Sequence, residues 1–205
     1  MDSQNDVVVL VHGLGGSRID MWPISSRLKR LGYEVRNWGY RSLGNRVETH
    51  ARRLGKELSL LDGKMSDGQL HLVTHSMGGI IARTMFADFE FKNLGRVVML
   101  APPHRGSHMA RKLTPLVGWL TPSLEQLSDS ADSFVNQLPS NPGLPVGIIA
   151  ARYDTVVRLE ATHLPDESDH LIMPCLHSML LFRRDVAAQI RHFLAEGQFD
   201  SEAAF

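Results

Sequence analysis

Short apolar runs rich in β-branched residues alternate with segments of helical apolar spacing, and this alternation constrains the fold most strongly. Strands are predicted at 7–13, 33–40, 69–75, 95–103, 144–154 and 169–177. Helical stripes lie between or after them, from Met21 to Leu31, Val47 to Leu61, Met77 to Phe89 and Phe182 to Leu194. Such alternation is typical of an α/β fold with about six mostly parallel strands and helices on both faces.

Residues 107–143 interrupt the alternation. They carry two apolar stripes of helical spacing, separated by Pro122 and ended by Pro139, Pro142 and Gly143. We interpret them as a short helical, lid-like insertion within a single domain that covers residues 1–205, with Ser107 capping its first helix.

Composition excludes several classes of protein. The 205 residues are 43% hydrophobic and 21% charged, with a formal net charge of zero, so we expect no nucleic-acid partner. The single cysteine, Cys175, permits no internal disulfide. The N-terminal sequence does not resemble a secretory signal, and no apolar run is long enough to span a membrane. A cytoplasmic protein is the default expectation, although one trimmed of its signal would look the same.

Three residues of catalytic type follow predicted strands. Ser76 follows the third strand, Asp154 the fifth and His177 the sixth. Carboxyl ends of parallel strands share one edge of the sheet, where ligands bind. Ser76 lies in THSMGG, which is G-x-S-x-G with Thr74 in place of the first glycine. The order Ser, Asp, His therefore favours a nucleophile, an orienting acid and a base.

Five segments in the same order resemble small bacterial lipases and esterases of the α/β-hydrolase superfamily. They are LVHGLGG, THSMGG, APPHRGS, ARYDTVV and LIMPCLHSML, and the resemblance extends over about residues 7 to 195. It implies a serine carboxylic ester hydrolase that forms an acyl-enzyme without a cofactor. The substrate would be a small-molecule ester or lipid with an apolar acyl group, and transient contact with a lipid surface is conceivable.

The resemblance implies that Ser76, Asp154 and His177 are the catalytic residues. It also implies that the backbone N–H groups of Leu14 and Met77 form the oxyanion hole. The other predicted site residues support the oxyanion loop, pack beside the nucleophile, or line an acyl pocket. They are His12, Gly13, Gly15, His75, Met109, Leu113 and Trp119. We expect the side chain of His75 to point away from that of Ser76, and His104 to lie near the mouth of the site.

The sequence is also compatible with other catalytic residues and other functions. His170 could replace His177 as the base, and Asp132, Asp166 or Asp169 could replace Asp154. The same catalytic groups would serve a thioesterase or an acyltransferase. A haloperoxidase, a C–C bond hydrolase or a non-catalytic binding protein could use the same fold. No helix carries H-x₃-H or H-E-x-x-H, so no metal site is expected.

Overall fold

A parallel sheet of six strands forms the centre of the computed structural model, which describes residues 5–139 and 143–203. The strand order is β2-β1-β3-β4-β5-β6, and every neighbouring pair is parallel. The strands are β1 Val7–Val11, β2 Glu34–Trp38, β3 Leu70–His75, β4 Leu94–Leu100, β5 Val146–Ala151 and β6 Asp169–Met173. The predicted parallel α/β fold is confirmed, with most strands ending earlier than predicted.

Helices cover both faces of the sheet. They are α1 Trp22–Arg30, α2 Val47–Asp62, α3 Met77–Phe86, α4 His108–Val117, α5 Pro122–Gln126, α6 Phe134–Gln137 and α7 Arg184–Glu196. Alternate residues of β1 divide the core: Val8 and Leu10 pack with α1 and α7, whereas Val7, Val9 and Val11 pack with α2 and α3. Among the described residues, no helix is both long and apolar enough to cross a membrane.

Two predicted helices are shorter in the structure. The last helix begins at Arg184, so Phe182 lies outside it; Phe182 follows a 3₁₀ turn at His177–Leu181 and is 53% exposed. Helix α3 ends at Phe86, three residues before the predicted end. Apolar spacing alone does not show where a chain turns away from the core.

The insertion between β4 and β5 also differs from its predicted form. Its second stripe does not form one helix but two short ones, α5 and α6, joined by an irregular segment. Pro142, predicted to end the insertion, lies outside the described residues. Ser107 caps α4 as predicted, because its Oγ accepts a hydrogen bond from the Ala110 N–H at 3.2 Å.

A buried arginine attaches the insertion to α3. The side chain of Arg83 donates to the carbonyls of Pro139 (2.6 Å), Leu138 (2.6 Å), Val135 (3.4 Å) and His104 (3.2 Å). Arg83 is 7% exposed and forms no ion pair with a described carboxylate. Its charge is therefore compensated by carbonyl dipoles from both ends of the insertion.

We expect Arg83→Met to destabilise the protein by about 2–4 kcal/mol, because four carbonyls would lose a charged donor, two of them in buried hydrogen bonds. Urea denaturation measures the loss, and hydrogen exchange should show faster exchange in residues 104–138 than elsewhere. The exposed Arg52 on α2 supplies the control, Arg52→Met, which should change stability by less than about 0.5 kcal/mol. Equal effects of the two substitutions would contradict the attachment.

Candidate active site

Ser76 occupies the turn between β3 and α3 in a backbone conformation that is rare for residues other than glycine. Its φ is 52° and its ψ is −123°. The Ser76 N–H donates to the Leu100 carbonyl of β4 at 2.8 Å, and its own carbonyl accepts from the Gly79 N–H at 2.9 Å. These bonds hold a strained residue at the carboxyl edge of the sheet, as in the turn that carries a nucleophilic serine.

Close packing of α3 against β1 explains the glycine at position 78. A Cβ on Gly78 would lie 2.6 Å from the Val11 carbonyl oxygen and 2.9 Å from that of His12. No side chain fits there without moving the backbone. Thr74, which replaces the first glycine of the motif, lies near the next position: its Oγ1 is 3.4 Å from a Cβ built on Gly79.

His177 and Asp154 form a short hydrogen bond beside this turn. The His177 Nδ1 lies 2.6 Å from Asp154 Oδ2, and the two side chains are 11% and 2% exposed. Asp154 Oδ1 accepts from the N–H groups of Val156 (2.8 Å) and Val157 (2.9 Å). Burial raises the pKa of Asp154, but these hydrogen bonds outweigh burial and the pKa lies below its ordinary value.

Ser76 and His177 line the same cavity, which has a volume of about 270 Å³. No hydrogen bond within 3.5 Å joins the Ser76 hydroxyl to His177 or to any other described residue. Such bonds are often long in the absence of substrate. The structure thus brings together the three residues predicted to act in catalysis, with the acid–imidazole bond formed.

The loop after β1 forms another wall of this cavity. Gly13 and Leu14 line it, and a Cβ on Gly13 would lie 3.0 Å from the Cβ of Ser76. The Gly13 carbonyl accepts from His12 Nδ1 at 2.9 Å and from the Gly16 N–H at 3.2 Å. In a trans peptide the following N–H points the opposite way, so these bonds also fix the direction of the Leu14 N–H.

His12 is held from its other side by Tyr40. The rings stack at 4.2 Å, the Tyr40 N–H donates to His12 Nε2 at 3.4 Å, and the Tyr40 hydroxyl donates to the His12 carbonyl at 2.7 Å. Burial lowers the pKa of His12, which favours the neutral ring with its proton on Nδ1. Gly15, also predicted in this loop, has a φ of 70° and donates its N–H to Ser42 Oγ at 2.9 Å.

His75 lies against the imidazole of His177, with ring centroids 4.8 Å apart, and lines the cavity together with Ser76. Our expectation that it turns away from Ser76 assumed strand alternation, which the positive φ of Ser76 interrupts. Burial, and secondarily His177, lowers the pKa of His75 to about 3. A neutral ring therefore packs beside His177.

The insertion supplies the apolar wall of the cavity. Met109 and Leu113 of α4 line it as predicted, together with Leu124 and Leu127, which the sequence did not single out for the pocket. Trp119 does not: it follows α4, lies outside the residues that line the cavity, and is 83% exposed. The helical spacing that placed Trp119 with Met109 ends at Val117.

The alternative catalytic residues lie elsewhere. His170 contacts Thr162 Oγ1 at 3.0 Å, and Asp169 accepts from the Phe199 N–H at 2.7 Å. Asp132 lines a more polar cavity of about 540 Å³ on the other side of α4, which contains neither Ser76 nor His177. His104, expected near the mouth, is instead 2% exposed beneath the insertion.

One group of side chains has the composition of a metal site. Ligand atoms of His163, Glu167 and His170 lie within 4.8 Å of one another. The two imidazoles stack at 3.9 Å with 17° between their planes, so their in-plane lone pairs do not converge on one point. His163 Nδ1 also bonds Glu167 Oε1 at 2.7 Å. This arrangement would need to rearrange before it could hold an ion.

The packing around Thr74 leads to a testable expectation. Its side chain is 0% exposed, and Oγ1 has no hydrogen-bond partner among the described residues. Thr74→Val keeps the shape and removes an unpaired hydroxyl, so stability should stay equal or rise by about 1 kcal/mol. Thr74→Leu should cost about 1–3 kcal/mol, because the larger side chain meets Gly79. Thermal unfolding compares the variants; a tolerated leucine or a damaging valine would contradict this packing.

Known proteins share the family and the fold of this chain. The model of the alpha/beta hydrolase family matches residues 8–199. Triacylglycerol lipase 2 of Saccharomyces cerevisiae is 31% identical over 74 residues, which are 35% of this chain and 23% of the yeast protein. The chain therefore spans about a quarter of that relative's length.

Similar solved structures include lipases. The mature Bacillus licheniformis lipase BlEst2 has a TM-score of 0.74 at 16% identity, over 96% of this chain and 93% of that one. Aspergillus fumigatus lipase B has a TM-score of 0.77 at 17% identity, over 95% and 54%. The phospholipase PlaB of Legionella pneumophila has a TM-score of 0.63 at 19% identity, over 77% of this chain and 44% of that one. At these identities the likeness establishes the fold, and the family match establishes that this chain belongs to the alpha/beta hydrolase family.

Proposed function

We propose that the protein is a serine carboxylic ester hydrolase, with Ser76 as nucleophile, His177 as general base and Asp154 as the acid that orients it. The observation that carries this proposal is the hydrogen bond of 2.6 Å between His177 Nδ1 and Asp154 Oδ2. His177 shares a cavity with Ser76, whose φ is positive. No cofactor takes part in the proposed reaction.

The chemistry follows from the positions of the ring nitrogens. Asp154 holds Nδ1–H of His177, which leaves Nε2 free to accept the proton of the Ser76 hydroxyl as that oxygen attacks the acyl carbon. His177 then donates the proton to the leaving alcohol, and water releases the acyl group by the same steps in reverse order.

Asp154 also stabilises the imidazolium that forms during each step. Its lowered pKa keeps the carboxylate ionised at neutral pH, and the Val156 and Val157 N–H groups hold it in place. A negative charge fixed 2.6 Å from Nδ1 favours the charged ring when the proton arrives.

The oxyanion of the tetrahedral intermediate would be bound by the N–H groups of Leu14 and Met77. Neither N–H has a hydrogen-bond acceptor among the described residues. Met77 is the first residue of α3, where N–H groups have no partner within the helix. The bonds from His12 and Gly16 to the Gly13 carbonyl prevent the Gly13–Leu14 peptide from flipping. Two such preorganised donors are worth about 3–4 kcal/mol each.

An apolar acyl group fits the cavity wall formed by Met109, Leu113, Leu124 and Leu127. The names of similar proteins support this substrate class, since they include a triacylglycerol lipase, lipases and a phospholipase. We therefore assign esters with apolar acyl chains to this site.

A fluorophosphonate probe should label the wild-type protein at Ser76, because only an activated serine attacks such a reagent at neutral pH. Ser76→Ala should abolish labelling and lower ester turnover by roughly 10³-fold or more. Intact mass and peptide mass spectrometry locate the adduct. A folded wild-type protein that takes up no probe would rule out Ser76 as the nucleophile.

Two histidine variants separate the candidate bases. His177→Ala should lose nearly as much turnover as Ser76→Ala, since the catalytic groups act as a unit. His170→Ala is the matched control and should retain activity, because His170 contacts Thr162 and not the cavity. The reverse pattern would transfer the role of base to His170.

The acyl assignment can be tested with p-nitrophenyl esters from acetyl to palmitoyl. Met109→Trp should shift the preference towards shorter chains by at least about tenfold in kcat/KM, because the indole would fill part of the cavity. Trp119→Ala should leave the preference unchanged, since Trp119 lies outside the cavity. If only the Trp119 variant alters chain-length preference, the acyl chain binds elsewhere.

A further inference from the structure

The two proposed oxyanion donors differ in how the chain holds them. The Met77 N–H belongs to the first turn of α3, so the helix fixes its direction. The Leu14 N–H belongs to the oxyanion loop, residues 12–16, in which three of the five residues are glycine. Glycine adopts many backbone conformations, so this loop needs contacts from outside to keep a single one. The loop between β2 and α2, residues 39–46, supplies such contacts.

Hydrogen bonds from this second loop hold the peptide units on both sides of the unit that carries the Leu14 N–H. On one side, the Tyr40 hydroxyl donates to the His12 carbonyl at 2.7 Å. On the other side, the Gly15 N–H donates to Ser42 Oγ at 2.9 Å. The carbonyl of the middle unit accepts from His12 Nδ1 at 2.9 Å. Three successive planar units are therefore each held by a hydrogen bond, which fixes the direction of the Leu14 N–H.

The side chain of Tyr40 is itself held in one position. It is buried, and its ring lies against those of His12, Trp38 and His50, with centroids 4.2, 4.7 and 4.6 Å apart. Burial raises the pKa of Tyr40, so the hydroxyl keeps its proton at neutral pH and remains a donor. A donor whose ring cannot rotate freely holds the His12 carbonyl in a defined place.

We infer that Tyr40 and Ser42 are positioning residues for catalysis: they keep the oxyanion loop in the conformation that directs the Leu14 N–H at the oxyanion. This inference rests on the proposed ester hydrolase function. Tyr40 and Ser42 are buried and lie outside the residues that line the cavity of Ser76. They act on the reaction through the peptide units that they bind, and not by contact with the substrate.

The direction of this N–H matters most when charge develops on the substrate. As Ser76 Oγ bonds to the acyl carbon, the π electrons of the carbonyl move to its oxygen, and the Ser76 proton moves to His177 Nε2. In a thionoester the same charge develops on sulfur, which is a weak hydrogen-bond acceptor. The ratio of kcat/KM for an ester to kcat/KM for its thionoester therefore measures how well the donors fit the oxyanion.

The test compares p-nitrophenyl butyrate with p-nitrophenyl thionobutyrate, in which sulfur replaces the carbonyl oxygen. Tyr40→Phe removes one hydroxyl and keeps the stacked ring. We expect kcat/KM for the ester to fall about tenfold, and the ratio of ester to thionoester to fall about fivefold. Ser42→Ala should lower the ratio in the same direction, because the Gly15 N–H loses its acceptor. A variant that only contains less folded protein would lose both rates in equal proportion and keep the wild-type ratio.

Tyr33→Phe is the matched control, because Tyr33 is also buried but belongs to the core on the other face of the sheet. It should leave the ratio unchanged. An unaltered ratio in folded Tyr40→Phe would overturn the role of Tyr40, and the same result in Ser42→Ala would overturn that of Ser42. An equal fall in Tyr33→Phe would overturn both. A wild-type protein that hydrolyses neither compound would instead contradict the proposed function.

Discussion

The contact between the first turn of α3 and the end of β1 is the constraint on which the site depends. A side chain at residue 78 would overlap the carbonyls of Val11 and His12, so the helix lies directly against the strand. This approach places Ser76 in contact with Gly13, and with it the candidate nucleophile beside the candidate oxyanion loop. A wider separation here would move the candidate nucleophile away from the N–H groups that we propose bind the oxyanion.

The surrounding structure holds this arrangement at some cost in stability. Ser76 has an unfavourable backbone conformation, and Thr74 buries an unpaired hydroxyl. His75 is buried and neutral, and it packs beside His177 in a position that an apolar side chain would fill at lower cost. Buried polar atoms without a partner also occur elsewhere in the described residues, for example on His50 and His104. A strained residue beside such groups is a cost that functional sites often carry.

Much of the fold and the grouping of Ser76, Asp154 and His177 could be predicted, because both follow from local patterns. Apolar runs identify buried strands, and parallel strands bring their carboxyl ends to one edge. Other features depend on contacts between distant residues. Nothing local shows that Arg83, within an apolar helix, would bond carbonyls at His104 and Pro139. Trp119 and Phe182 both fit the helical spacing of their apolar neighbours. In the structure, α4 ends at Val117, before Trp119, and α7 begins at Arg184, after Phe182.

The hydrogen bonds that Arg83 donates affect which parts of the sequence can vary without disturbing the site. One guanidinium holds the chain just before the insertion, at His104, and near its end, at Val135 to Pro139. Both ends are thus fixed to α3, the helix that begins directly after Ser76. Substitutions between these anchors would alter the apolar wall of the cavity without displacing the candidate nucleophile Ser76. The insertion is therefore the part of the chain in which sequence changes would alter the proposed substrate preference at least cost to the rest of the site.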